Sequence, residues 1–183
     1  MSENIRQKLR QQIIEQHGKL VYSFTTDEKE MELIYKWSKV RQVVSIVLSV
    51  ITISPAFSSL FGDNPFWKFF SAIAGVVLLC LSTYNLKTNN DSKLSDLRKS
   101  SDASWEIREK YVSLLVDFDD FTPETIRSKR DELIQGTAEI YKSRPKASRC
   151  AYRNAQKALQ VEEEQTFNAG EAERLLPELL RKN

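Results

Sequence analysis

Residues 40–86 read VRQVVSIVLSVITISPAFSSLFGDNPFWKFFSAIAGVVLLCLSTYNL. From Val43 to Leu60 there is no charged residue, and from Phe69 to Leu86 there is none again. Each run is long enough to cross the hydrocarbon core of a bilayer as a helix. A bilayer offers no water to backbone amides, so each crossing must satisfy its own hydrogen bonds, which an α-helix does. The stretch predicts a two-helix transmembrane hairpin, residues 40–61 and 66–86, turned at Gly62-Asp63-Asn64-Pro65. Phe66 and Trp67 just after the turn suit the headgroup zone, and Pro55 should bend the first helix near its far end. The competing reading is a hairpin buried inside a soluble helical bundle, which the Ser and Thr content of both runs keeps open.

On either side of the hairpin the charge is basic: Lys36, Lys39 and Arg41 precede the first crossing and Lys87 and Lys93 follow the second. Positive residues stay inside, so both termini are expected in the cytoplasm and the turn outside. The first residues, 1–14, are polar and lack the apolar centre of a secretory peptide.

The faces of the two helices carry a pattern. Ser45, Ser49, Thr52, Ala56 and Ser59 recur at steps of four and three, and Ser71, Gly75, Ser82 and Asn85 form a sparser row. Small residues let helix backbones approach closely in lipid and hydroxyls bond across the contact, so such rows commonly form helix seams. The second reading is that Ser45, Ser49, Thr52, Ser59, Ser71, Gly75 and Ser82 line a water-filled path in an oligomer. No ring of charged residues marks an ion filter.

The remainder is ordinary cytoplasmic material. Among 183 residues, 27 Lys+Arg face 25 Asp+Glu, a net charge of +2. Long helices rather than sheet are expected, because Lys, Glu, Arg and Gln are abundant and Gly and Pro number five each. The fold class is therefore all-α: a membrane protein with a two-helix transmembrane hairpin and a cytoplasmic bundle of amphipathic helices. Its parts are N-terminal helices over 1–39, the hairpin over 40–86, a helical domain over 87–168 and a tail over 169–183.

Local signals refine this. Ser2 is expected to cap a helix ending near Gly18, followed by a connector from Lys19 to Phe24. Thr25, Thr26 and Asp27 are N-cap candidates for a second helix that continues into the membrane. A broad apolar face between Leu94 and Phe118 predicts an amphipathic helix. Asp117-Phe118-Asp119-Asp120-Phe121 is a turn, and Thr122-Pro123-Glu124 reads as cap, first-turn proline and first-turn acid. Pro145 ends that helix, and a last one is expected from Ala147 to Gln165.

No catalytic constellation is found. There is no phosphate-binding glycine loop and no nucleophile elbow. One histidine and two cysteines exclude a multi-histidine metal site and a disulfide framework. The acids Asp117, Asp119 and Asp120 lack the spacing of a calcium loop and read as a solvated turn. Arg144, Lys146, Arg149 and Arg153, interleaved with Tyr141 and Tyr152, could receive phosphate or lipid headgroups, or form a solvated face. They do not specify nucleic acid. No enzyme, cofactor or metal is expected.

The order of segments, with Trp105, Tyr111, Tyr141-Lys142-Ser143-Arg144-Pro145 and Ala151-Tyr152-Arg153-Asn154-Ala155-Gln156-Lys157-Ala158, resembles the SLATT domains over nearly the whole chain. The resemblance implies a bacterial inner-membrane effector from antiphage or conflict systems. Such effectors are encoded beside nucleotide second-messenger synthetases or sensors, and are proposed to oligomerise and permeabilise the membrane. It supplies no catalytic residues. The implied partners are the lipid bilayer, further copies of the chain, and a nucleotide second messenger or a separate sensor or synthetase. The alternative function is a membrane-anchored scaffold whose cytoplasmic helices recruit a partner.

Overall fold

The computed structural model describes residues 2–52, 65–87, 90–169 and 171–174. All regular structure among them is helical: α1 (Ser2–Thr52), α2 (Pro65–Lys87), α3 (Asn90–Val116), α4 (Pro123–Ser143), α5 (Arg149–Gln160) and the single turn α6 (Glu171–Arg174).

The long helix α1, 51 residues, packs against α2, α3, α4 and α5. Its continuity corrects the expected break at Gly18, the connector from Lys19 to Phe24 and the capping roles of Thr25, Thr26 and Asp27. No proline lies between Ser2 and Thr52, so nothing forces an end, and one interior glycine costs only about 1 kcal/mol. Burial of Leu20, Thr25, Thr26 and Asp27 outweighs that cost. The Thr26 hydroxyl donates back to the Tyr22 carbonyl at 2.6 Å, so a residue suited to a cap is satisfied mid-helix.

Contacts along α1 fall into three levels. At the N-terminal end Leu9, Ile13 and Leu20 meet Tyr111, Leu114, Phe118 and Ile126 in the apolar core. Arg6 closes this end: its guanidinium donates to the carbonyls of Phe121 and Phe118, both at 2.9 Å, and so satisfies the turn between α3 and α4. A polar level follows around Asp27 and Glu30, bounded by two faces of small residues. Ser100, Ser101 and Ser104 of α3 are buried on one side, and Ala151, Ala155 and Ala158 of α5 on the other. Small side chains on both neighbours bring the helices close enough for the polar groups of α1 to be bonded directly. Above this lies the apolar part of α1, against α2.

The start of α4 follows its sequence signal, and α5 starts at a cap, Ser148, for which no expectation was raised. Thr122 caps α4, accepting from the Thr125 amide at 3.3 Å with Pro123 in the first turn. Ser148 caps α5, accepting from the Ala151 amide at 3.1 Å. The last long helix is therefore shorter than the expected 147–165. It ends at Gln160, and Glu163 and Gln165 adopt φ of 53° and 73°. Non-glycine residues in this region cost of order 1–3 kcal/mol each. The turn is held by Glu164 on Lys29 of α1 at 3.0 Å and by Arg108 of α3, which donates to Gln165 at 3.0 Å.

Candidate functional site

The apolar part of the molecule is an antiparallel helix pair. Thr52 of α1 lies beside Gly75 of α2, where a Cβ would sit 3.2 Å from Thr52 Cγ2. Farther down, the Arg41 guanidinium stands over the Tyr84 ring at 5.8 Å. Ser45, Ser49 and Thr52 are half-buried on the side of α1 toward this seam, whereas Val43, Val44, Ile46, Val47 and Val50 are exposed. The Ser49 hydroxyl donates to the Ser45 carbonyl at 2.8 Å and Thr52 bonds the Leu48 carbonyl. The Ser45 hydroxyl is buried with no partner. On α2, Ser71 and Gly75 are half-buried and Ser82 is exposed. Ser59, Pro55 and the turn residues 62–64 lie outside the described residues.

One described helical stretch, beginning at Phe69, is long and apolar enough to cross a membrane, and only 6% of its most apolar 18 residues are buried. The first apolar run is described only as far as Thr52. Phe69, Ile73, Val76 and Leu79 of α2 face outward together with the valines of α1. Exposed apolar surface on this scale marks a surface that something else covers.

At the base of the pair sits a network for which the sequence raised no expectation. The Asp27 carboxylate, 0% exposed, accepts from Arg144 Nε at 2.9 and 3.0 Å and from the Ser100 hydroxyl at 3.0 Å. Arg144 Nη2 lies 2.8 Å from Asp27 Oδ1 and donates to the Ser23 carbonyl at 3.1 Å. One turn along, Glu30 accepts from Lys93 at 2.6 Å, from the Ser148 hydroxyl at 2.6 Å and from the Ser148 amide at 3.0 Å. This network ties α3, the end of α4 and the start of α5 to the helix that leads into the apolar pair.

The two carboxyls are tuned in opposite directions. Burial raises Asp27 above its ordinary value, with Arg144 and Ser100 pulling against it. Burial also works to raise Glu30, but the bonds from Lys93 and Ser148 outweigh it and hold that carboxyl below its ordinary value. The difference follows from composition: Asp27 sits wholly inside, whereas Lys93 reaches Glu30 from a partly solvated position. A signal for this network was present in the 23, 27, 30 spacing of Ser, Asp and Glu on one helix face, facing serines at 100, 101 and 104.

Beside the network is a cavity of about 360 Å³ between α1, α4 and α5, lined by Tyr22, Tyr141, Arg144, Lys146, Ser148 and Tyr152 among others. The Tyr22 and Tyr152 rings are stacked, centroids 6.4 Å apart at 29°, and the Arg144 guanidinium stands 5.7 Å from the Tyr141 ring. Arg144 and Lys146 are thus brought together on one wall. Arg149 and Arg153 are exposed on α5 and do not line it. No group of residues suited to a metal ion occurs among the described residues.

A family model described as "SMODS and SLOG-associating 2TM effector domain family 4" matches residues 9–171. The chain belongs to the SLATT family. The match runs through the apolar pair, the polar network and the cavity, so all three lie within the SLATT domain. Membership makes the chain a membrane effector domain of the kind that associates with SMODS and SLOG proteins. Neither a curated protein nor a solved structure matches the chain.

Proposed function

We propose that this SLATT protein inserts both apolar segments into the bacterial inner membrane as a hairpin, assembles with further copies and permeabilises the bilayer. The observation that carries the reading is the outward apolar face of the α1/α2 pair, which lipid would cover. A pair whose small and hydroxyl residues already meet inside one chain, at Thr52 and Gly75, is a compact unit for ring assembly. Both termini face the cytoplasm in this reading, which the basic flanks Lys36, Lys39, Arg41 and Lys87 support. The cytoplasmic level, tied to α1 through Asp27 and Glu30, is where a nucleotide signal or a sensor protein would act on the membrane part.

The test is dye leakage from liposomes carrying the purified protein, with the oligomer's mass measured in parallel. Leakage is expected, and Ser49→Leu should reduce it. Reduced flux from an intact oligomer identifies a lining. Loss of the oligomer identifies a seam between copies. Protein that inserts without leakage under any condition refutes permeabilisation and leaves the anchored scaffold.

A further inference from the structure

We propose that the outer channel between α1 and α3 is a docking site for the C-terminal segment of this same chain, residues 175–183, whose leucines cover it. On α1, Ile14, Val21 and Phe24 recur at steps of seven and three, and on α3 Trp105, Val112 and Val116 recur at steps of seven and four, so each set lies along one side of its helix. The two sides meet where the Arg108 guanidinium of α3 stands over the Phe24 ring at 5.7 Å. The helices run antiparallel, with Ser101 donating to Glu28 toward one end of their contact and Arg6 reaching the Phe118 carbonyl at the other. Ile14, ten residues before Phe24, and Val116, eight residues after Arg108, therefore lie toward the same end, about 12–15 Å from that crossing.

Trp105 is 49% exposed and Val116 77%, and Ile14 and Val112 are exposed beside them. Apolar side chains gathered in this way mark a surface that something covers. Lipid is too far away to do so. Phe24, at the end of the channel nearest the apolar pair, lies 19 residues before Val43, about 28 Å along α1.

The chain leads its own end to this place. After α5 the backbone crosses α1, tied by Glu164 to Lys29 and by Gln165 to Arg108, both at 3.0 Å. Arg108 is the residue that stands over Phe24, so the crossing ends at the head of the channel. From Gln165, residues 166–174 lead to Leu175 and span up to about 33 Å when extended, more than twice the distance to the level of Ile14. Residues 175–183 read LLPELLRKN, and Leu175, Leu176, Leu179 and Leu180 are spaced to fall on one side of a helix. The family match ends at residue 171, so this segment lies beyond the SLATT domain. A segment on so short a tether is present at its own channel at about millimolar concentration, which favours it over a second copy or a separate partner. The channel opens to either of these only when the segment leaves. Docking here does not depend on what the apolar pair does in the membrane.

The experiment measures thiol reactivity of the full chain in detergent, with Cys80→Ser and Cys150→Ser removing the native thiols. Val112→Cys reports on the channel, and Lys110→Cys reports on the far side of α3. A tether of about 1 mM effective concentration, acting on a contact with a dissociation constant of about 0.1 mM, protects the Val112→Cys thiol about tenfold from a soluble disulfide reagent. Leu179→Asp with Leu180→Asp should abolish that protection, leave the Lys110→Cys rate unchanged and leave the helical melt in place. The protection should be the same at every protein concentration. A second measurement leaves the native leucines mostly intact: Val112→Cys is combined in turn with Leu175→Cys, Leu176→Cys, Leu179→Cys and Leu180→Cys, and mild oxidation should close a disulfide within one chain for at least one pair. Equal Val112→Cys rates with and without the Asp pair, whether fast or slow, overturn the proposal. Protection that grows with protein concentration, or disulfides that join two chains, overturns it in favour of a second copy. Absence of an intrachain disulfide for all four pairs overturns it as well.

Discussion

Replacing Arg144 with methionine keeps the length and apolar stem of the side chain and deletes the charge that faces Asp27. In the native chain the Asp27 carboxylate, 0% exposed, has both oxygens on Arg144 Nε and one on Ser100. The variant leaves a buried carboxylate with one hydroxyl donor. Breaking a buried pair by removing one partner costs about 3–5 kcal/mol, because the remaining charge is uncompensated. At about 2–4 °C per kcal/mol for a chain of this size, the helical melt should fall by about 6–20 °C near neutral pH. Acidification supplies the sign. Burial already raises Asp27, and without Arg144 the folded value rises further above the unfolded one. Stability from such a group is fully present below its unfolded value and lost as pH rises through the folded value. The deficit of Arg144→Met should therefore shrink as pH falls toward the ordinary aspartate value of 3.8. Asp27→Leu combined with Arg144→Met should lie close to the wild type, since an apolar pair replaces an ionic one. Melting followed by circular dichroism in detergent checks each step. A neutral-pH cost under about 1 kcal/mol, or a deficit that persists on acidification, would refute the argument that Arg144 compensates a buried charge.

Two more outcomes follow from neighbouring residues. Gly18→Ala places a methyl group where nothing lies within 4 Å, in the interior of α1, and should raise stability by about 0.5–1 kcal/mol; a lowered melting point would show that α1 bends there. Glu30 is held below its ordinary value of 4.5, so its contribution is present above that value and is lost as pH falls through the lower folded one. Glu30→Gln should accordingly flatten the acid limb of the melting curve, and an acid limb identical to the wild type would place that pH dependence elsewhere.

The apolar pair, the all-helical class and several of the helix ends were legible in the residues without any packing information. Two uncharged runs around a Gly-Asp-Asn-Pro turn read as paired helices because the absence of charge and the length of a run are local quantities. Thr122 and Pro123 marked the start of α4 for the same reason: a cap acts on amides within one turn. The family resemblance was legible in the order of these segments, and the family match bears it out. The rest came only from how the helices pack. Thr25, Thr26 and Asp27 are good caps in isolation, yet they lie mid-helix because α3 and α5 bury them with small residues 73 to 133 places away in sequence. Arg144 belonged locally to a basic cluster with Lys146, Arg149 and Arg153, but its charge is committed to Asp27, 117 residues earlier. A long-range ion pair leaves no periodicity in either segment, since each residue's spacing is set by its own helix and its partner by how the helices pack.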